Sequence, residues 1–182
     1  MEKYIALLRG VNVGGKNKIS MPLLKTAFED EDFLEVSTYI NSGNIIFKSN
    51  MKDINEIKVK CEKIIKQNFD IDISVVIITN SELKDMLIHA PAWWDMVKED
   101  KNNAIFVIPP ATADDIILEV GNIKPEYEKV YSYKNLIFWT APKETFSKTR
   151  WAKIVGTTTY SKITIRNANT TKKLLVLFED KA

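Results

Sequence analysis

The sequence predicts an α+β fold: a ferredoxin-like β-α-β-β-α-β subdomain followed by a second, smaller α+β subdomain. Three observations carry this. Two β-rich runs, 35–40 and 44–48, are separated only by Asn41-Ser42-Gly43, the chemistry of a tight hairpin turn. Helical periodicity stands on either side of that hairpin, and an apolar run opens and closes the whole stretch. That order of elements is the split βαβ pattern.

Each element follows in turn. Tyr4 to Leu8 is apolar on both faces and reads as a central strand. Ser20 stands as an N-cap, Pro22 falls in the first turn, and Leu23, Leu24, Ala27 and Phe28 make the apolar stripe of a helix. The acidic run Glu29-Asp30-Glu31-Asp32 ends it. After the hairpin, residues 53–67 place Ile54, Ile57, Cys61, Ile64 and Ile65 on one helical side. Residues 71–79 (IDISVVIIT) close the first subdomain as a strand.

From there the pattern restarts less cleanly. Ser81 caps a short helix through His89, and Pro91-Ala92-Trp93-Trp94 is a loop. Residues 103–108 form a strand and 112–120 a helix, with Asp114 and Asp115 assisting its start. Residues 127–133 and 136–140 form a second hairpin, 147–155 a helix and 170–179 a final helix capped by Asn169 or Thr170. The subdomains are residues 1–80 and 81–182, with the junction near residues 80 to 95. No repeat shows at the level of residues.

Composition narrows the chemistry. The 182 residues are 45% hydrophobic and 27% charged, ordinary for a soluble globular chain. A net charge of +2 does not by itself call for a nucleic acid or a membrane. One cysteine, Cys61, rules out an internal disulfide, and one histidine, His89, rules out a paired-histidine metal site. No metal and no cofactor are expected, no apolar run is long enough to span a membrane, and a cytoplasmic setting is expected. Only three of the 26 basic residues are arginine: Arg9, Arg150 and Arg166. Arginine is the residue that grips a carboxylate or phosphate with two parallel N–H groups.

The stretch GVNVGGKN, Gly10 to Asn17, falls one residue short of the P-loop pattern, because Asn17 stands where the magnesium-binding hydroxyl belongs. A P-loop also needs its lysine at a helix start on a parallel sheet, and here an antiparallel sheet is expected. A nucleotide-hydrolysing loop is therefore rejected. What survives is a bend whose Gly10, Asn12, Gly14 and Gly15 turn backbone N–H groups outward, with Arg9, Lys16 and Lys18 around it. The topology places this bend beside the turn Ser42-Gly43-Asn44, giving a rim rich in donors and poor in carboxylates. Lys148 and Arg150 sit at a second donor-rich point. Arg166, Asn167, Asn169 and Thr170 sit at a third, at a helix start that favours an anion.

The segments YIALLRGVNVGGKNKISMPLLK, VSTYINSGNIIF and TIRNANTTKKL resemble the signatures of the bacterial family catalogued as domain of unknown function 1697. The resemblance spans nearly the whole chain and implies the same two-subdomain fold. It implies no activity. Its motif positions fall on Arg9, Gly10, Asn12, Gly14, Gly15 and Lys16, then Ser42, Gly43 and Asn44, then Arg166, Asn167, Asn169 and Thr170.

The residues leave three functions open. The first is a binding module for a phosphate-bearing partner, a small molecule such as a nucleotide or a single-stranded nucleic acid. The second is a hydrolase or transferase acting on an anionic metabolite, with Ser42 and Ser147 as hydroxyls for chemistry but no identifiable base or nucleophile pair. The third is a protein-interaction module whose Gly/Asn loops are architectural. Trp93 and Trp94 read as loop packing, Cys61 as inert core, and His89 as a helix-end residue.

Overall fold

A computed structural model describes residues 1–179. The chain forms two units, one of Met1–Leu83 together with the chain from Val176, the other of Lys84–Leu175.

The first unit runs β1 (Glu2–Leu8), α1 (Met21–Glu29), β2 (Leu34–Tyr39), β3 (Asn44–Ser49), α2 (Ile54–Phe69) and β4 (Val75–Thr79). Its sheet has the order β2-β3-β1-β4, every neighbour antiparallel. Strand β3 lies between β1 and β2, as the sequence pattern requires, so the carboxyl ends of β1 and β2 share one edge. Along β1, alternate residues Tyr4, Ala6 and Leu8 enter a core with Phe28, Phe33, Phe47, Cys61 and Ile64. Phe33 and Phe47 lie 4.4 Å apart between ring centroids, with Phe28 at 5.8 Å from Phe47. Burial of each ring contributes roughly 2 kcal/mol or more. Asp53 caps α2 by accepting from the N–H groups of Asn55 and Glu56, and Asp70 ends it in the left-handed region. Strand β4 starts later than the run 71–79 predicts. The residues before it are tied to α2, where Lys66 binds Asp72 at 2.9 Å and Glu62 takes the Val75 N–H at 3.0 Å.

The unit boundary falls within α3 (Asn80–Ile88), which follows β4. The second unit continues with β5 (Lys101–Val107), α4 (Ala113–Val120), β6 (Lys129–Tyr133), β7 (Leu136–Ala141), β8 (Ile163–Asn167) and the larger part of α5 (Ala168–Glu179), whose residues from Val176 count with the first unit. Its sheet has the order β6-β7-β5-β8, again antiparallel throughout. This is the wiring of the first unit repeated, with β5 in the place of β1 and β8 in that of β4. Three 3-10 turns, Lys143–Lys148, Trp151–Ile154 and Thr159–Lys162, stand where the first unit has α2. The repeat is one of topology that the residue sequence does not display.

Several local expectations are corrected. Residues 147–155 are not one helix: Thr149 is extended between two 3-10 turns. Residues Ile163–Asn167 form a strand, β8, which the sequence reading does not include. Helix α5 starts at Ala168, and its cap is Asn167, whose Oδ1 accepts the Thr170 N–H at 2.7 Å, rather than Asn169 or Thr170. Ser20 precedes α1 without a side-chain capping bond. The start of α3 is held by Thr79 and Glu82, not Ser81, through the Glu82 carboxylate on the Thr79 N–H at 2.9 Å. The pair Asp114-Asp115 does assist α4: Thr112 and Asp115 form a complete capping box.

Candidate functional site

The Gly/Asn stretch is a small protruding hairpin. Val13 and Lys16 form an antiparallel bridge, with the Lys16 N–H on the Val13 carbonyl at 3.1 Å. Between them Gly14 and Gly15 have φ of 58° and 77°, the left-handed pair of a type I′ turn that only glycine adopts without strain. The Asn12 N–H extends the ladder to the Asn17 carbonyl at 3.1 Å. Asn12 itself lies at φ 54° and is a staple: its Oδ1 accepts the Ile19 N–H, and its Nδ2 donates to Ile19 O and Asn41 O. Asn17 Nδ2 donates to Gly10 O. Two of the asparagines thus build the loop, and their side chains are committed to backbone.

The turn after β2 lies beside this hairpin, as expected. The Leu8 N–H donates to Gly43 O at 2.8 Å, and a Cβ on Gly43 would stand 2.4 Å from Val11 Cγ2. Only glycine fits there. Asn44 is fully buried, and its Nδ2 donates to Tyr39 O and Ser42 Oγ. Ser42, Gly43 and Asn44 are thus fixed by packing and hydrogen bonds, while of this turn it is Asn41 that faces the pocket at the start of α1. Arg9 is half-buried at the end of β1, its N–H on Ser74 O at 3.0 Å.

Between hairpin, turn and the start of α1 lies a pocket of about 570 Å³ lined by Asn12, Gly15, Lys18, Ile19, Ser20 and Met21, with Pro22 and Asn41. No carboxylate lines it. Helix α1 opens onto it without a side-chain cap and without an acidic residue in its first turn. The orphan N–H groups of a helix start carry partial positive charge. Lys18 adds a full one.

The C-terminal candidates separate. Lys148 lies over the Tyr127 ring at 5.5 Å. Arg150 donates Nε to Val120 O at 2.6 Å, while its backbone N–H meets the buried carboxylate of Glu128 at 2.7 Å. Glu128 also accepts from Trp151 and Lys124. The anion at the start of that 3-10 turn is thus the protein's own. Arg166 points inward, donating to Thr164 Oγ1 and Ile165 O, and burial pushes its guanidinium down to about 10. Thr170 is buried.

Asn167 and Asn169 line a different cavity, of about 280 Å³, with Ala168, Lys98, Lys101, Lys143, Asn102, Asn103 and the acids Asp95, Glu99 and Asp100. Asp95 and Asn102 are buried there and were not singled out from the sequence. The partners that give them away are remote: Lys172 lies 77 residues from Asp95 and Thr140 lies 38 from Asn102. The nearby signal was Lys98, three residues after Asp95.

Cys61, Trp94 and His89 are engaged in packing or hydrogen bonds. Cys61 is buried, and burial raises its thiol well above the ordinary range. Trp94 is buried, with Nε1 on Asn103 O at 2.9 Å. His89 stacks on Tyr133 at 4.0 Å. Among the described residues no group of acidic, His or Cys side chains is disposed to hold a metal, and no helix is long and apolar enough to cross a membrane.

Fold and site together define a two-unit α+β protein with donor-rich loops at the edge of its first sheet. Residues 1–138 match the family described as "Protein of unknown function (DUF1697)", and the chain belongs to that family. It is similar to a solved structure, the conserved bacterial protein SP0830 from Streptococcus pneumoniae. The two share 30% identity over 98% of this chain and 99% of that one, with a TM-score of 0.87. No curated protein matches the chain.

Proposed function

We propose that this is a cytosolic protein that binds a small phosphate-bearing molecule, a nucleotide being the fitting size, on the ferredoxin-like frame of its first unit. The observation that carries the reading is the pocket at the start of α1. It offers a bare helix start, Lys18 and the Ser20 hydroxyl, and lines them with no carboxylate. A phosphate entering it meets donors and positive charge on one side and no repulsion on the other. Asn12, Gly43 and Asn44 hold the walls, and exposed Lys16 at the hairpin tip raises the local concentration of anions. The pocket volume suits a mononucleotide better than a polymer.

Calorimetric titration with inorganic phosphate, AMP, ATP and a mixed single-stranded oligonucleotide tests this. Saturable binding of a mononucleotide is expected. Lys18→Met and Ser20→Ala should each weaken it, the lysine by roughly tenfold or more. Unchanged affinity in both variants, or no binding by any probe, overturns the reading. Oligonucleotide binding that falls steeply with salt, with none by mononucleotides, replaces the small ligand by nucleic acid.

A further inference from the structure

We propose that the outward face of α2 is the interface of a symmetric homodimer, in which α2 packs antiparallel on α2 of a second copy and Glu56 of each chain meets Lys63 of the other. The inference starts from a groove of about 480 Å³ on that face, lined by Glu31, Glu56, Val59, Lys60, Lys63 and Ile64. Its floor is apolar. Ile64 is buried, and Lys60 reaches across to the end of α1, with its Nζ on Glu31 O and 4.9 Å from the Phe33 ring centroid. Val59 stands in the groove 62% exposed. A β-branched residue is a weak helix former, and an exposed aliphatic one gains nothing from burial. Neither helix nor solvent favours valine at this position. A second apolar surface laid on it does.

The charges choose the occupant. Lys58 and Glu62 pair with each other along α2, and Lys66 pairs with Asp70 and Asp72. Glu56 and Lys63 are exposed, and their side chains have no ionic or hydrogen-bonding partner among the described residues. They stand two helical turns apart, about 10 Å along the axis, on one face with Val59 between them. The groove is thus negative at one end and positive at the other. A second α2, turned about a two-fold axis beside Val59, sets each carboxylate on an ammonium, twice over, and brings the two valines together between the pairs. This is the self-complementarity that an isologous interface requires. A parallel partner would set like charges on one another. Lys60, the other charge near the axis, is turned aside to its own chain's Glu31 carbonyl.

The β2 edge of the same sheet does not offer an equal contact. Strand β2 is an edge strand, but its register shifts between Leu34 and Ser37, and Glu35 lies at φ 50°. A bulge of this kind bends the edge away from a further strand. The helix face is regular and carries no such guard. It shares no residue with the pocket at the start of α1, so neither reading depends on the other.

The test is sedimentation equilibrium of the full chain, from micromolar to millimolar protein. A reversible dimer is expected. Glu56→Lys and Lys63→Glu each oppose like charges at both ends of the interface and should weaken it roughly tenfold or more. The double variant Glu56→Lys/Lys63→Glu restores opposite pairs and should recover the dimer. Val59→Asp should weaken it by a similar factor. All three positions are exposed, so the variants keep the fold. A monomer at every concentration overturns the proposal. So does a dimer of unchanged strength in the single charge variants, or a double variant no tighter than either single one.

Discussion

Asn12 reaches from the hairpin to the turn after β2, where its Nδ2 donates to Asn41 O at 2.8 Å. The same amide closes both bonds to Ile19. One side chain thus fixes two walls of the pocket and the entry to α1. Asn12→Ala should lower unfolding stability by about 3 kcal/mol, from lost hydrogen bonds and an alanine held at positive φ. Denaturant unfolding reads this, and ligand affinity in the pocket should fall with it.

Two glycines of the motif should respond differently. Gly43→Ala drives a methyl into Val11 and Leu8, and should destabilise by about 3 kcal/mol or more. Gly14→Ala meets nothing within 4 Å and should lose only about 1 kcal/mol from its backbone conformation. Equal losses on thermal unfolding would show that packing is not what selects glycine at position 43.

Glu128 organises the 3-10 turns by accepting three backbone N–H groups while 2% exposed. Glu128→Ala leaves one buried and two part-buried N–H groups without their acceptor and should cost about 2 kcal/mol or more. Glu128→Gln keeps one oxygen and should cost less. Hydrogen exchange at Arg150 and Trp151 should speed up in both variants.

Asp95 sets a pH dependence. Burial acts to raise its carboxyl, but hydrogen bonds and charge from Lys172 and Lys98 outweigh it and hold the group below the ordinary carboxylate range. A carboxyl depressed in the folded state contributes stability above its unfolded value and loses it as pH falls through the folded one. Unfolding free energy should therefore drop on acidification below about pH 4. Asp95→Asn should be less stable at neutral pH and show a shallower acid slope. Parallel acid slopes in the two proteins would contradict this.

The first unit was legible because its signals are local. A turn of Asn-Ser-Gly separates two β-rich runs, and Asp53 caps a helix with a clean apolar stripe. In the second unit decisive contacts come from far along the chain. Glu128 breaks the expected 147–155 helix from more than twenty residues upstream. Strand β8 follows 3-10 turns with no apolar period, and its Arg166 is buried against the expectation for a charge. The loop motif showed which residues mattered, but not that Asn12 and Asn44 serve the backbone rather than a ligand. That depends on donors and acceptors meeting in space.

The twin wiring of the units makes the chain its own comparator. Helix α4 begins with Thr112 and Asp115 satisfying its first turn, whereas at the matching place α1 has Ser20 and, three residues on, the exposed Leu23. A single exchange, Leu23→Asp, would write the box of the second half into the first. The helix should then gain up to about 1 kcal/mol while the neighbouring pocket turns away phosphate, since the new carboxylate takes the seat itself. Firmer folding coupled to weaker capture would mark the bare helix start as an opening kept for a guest.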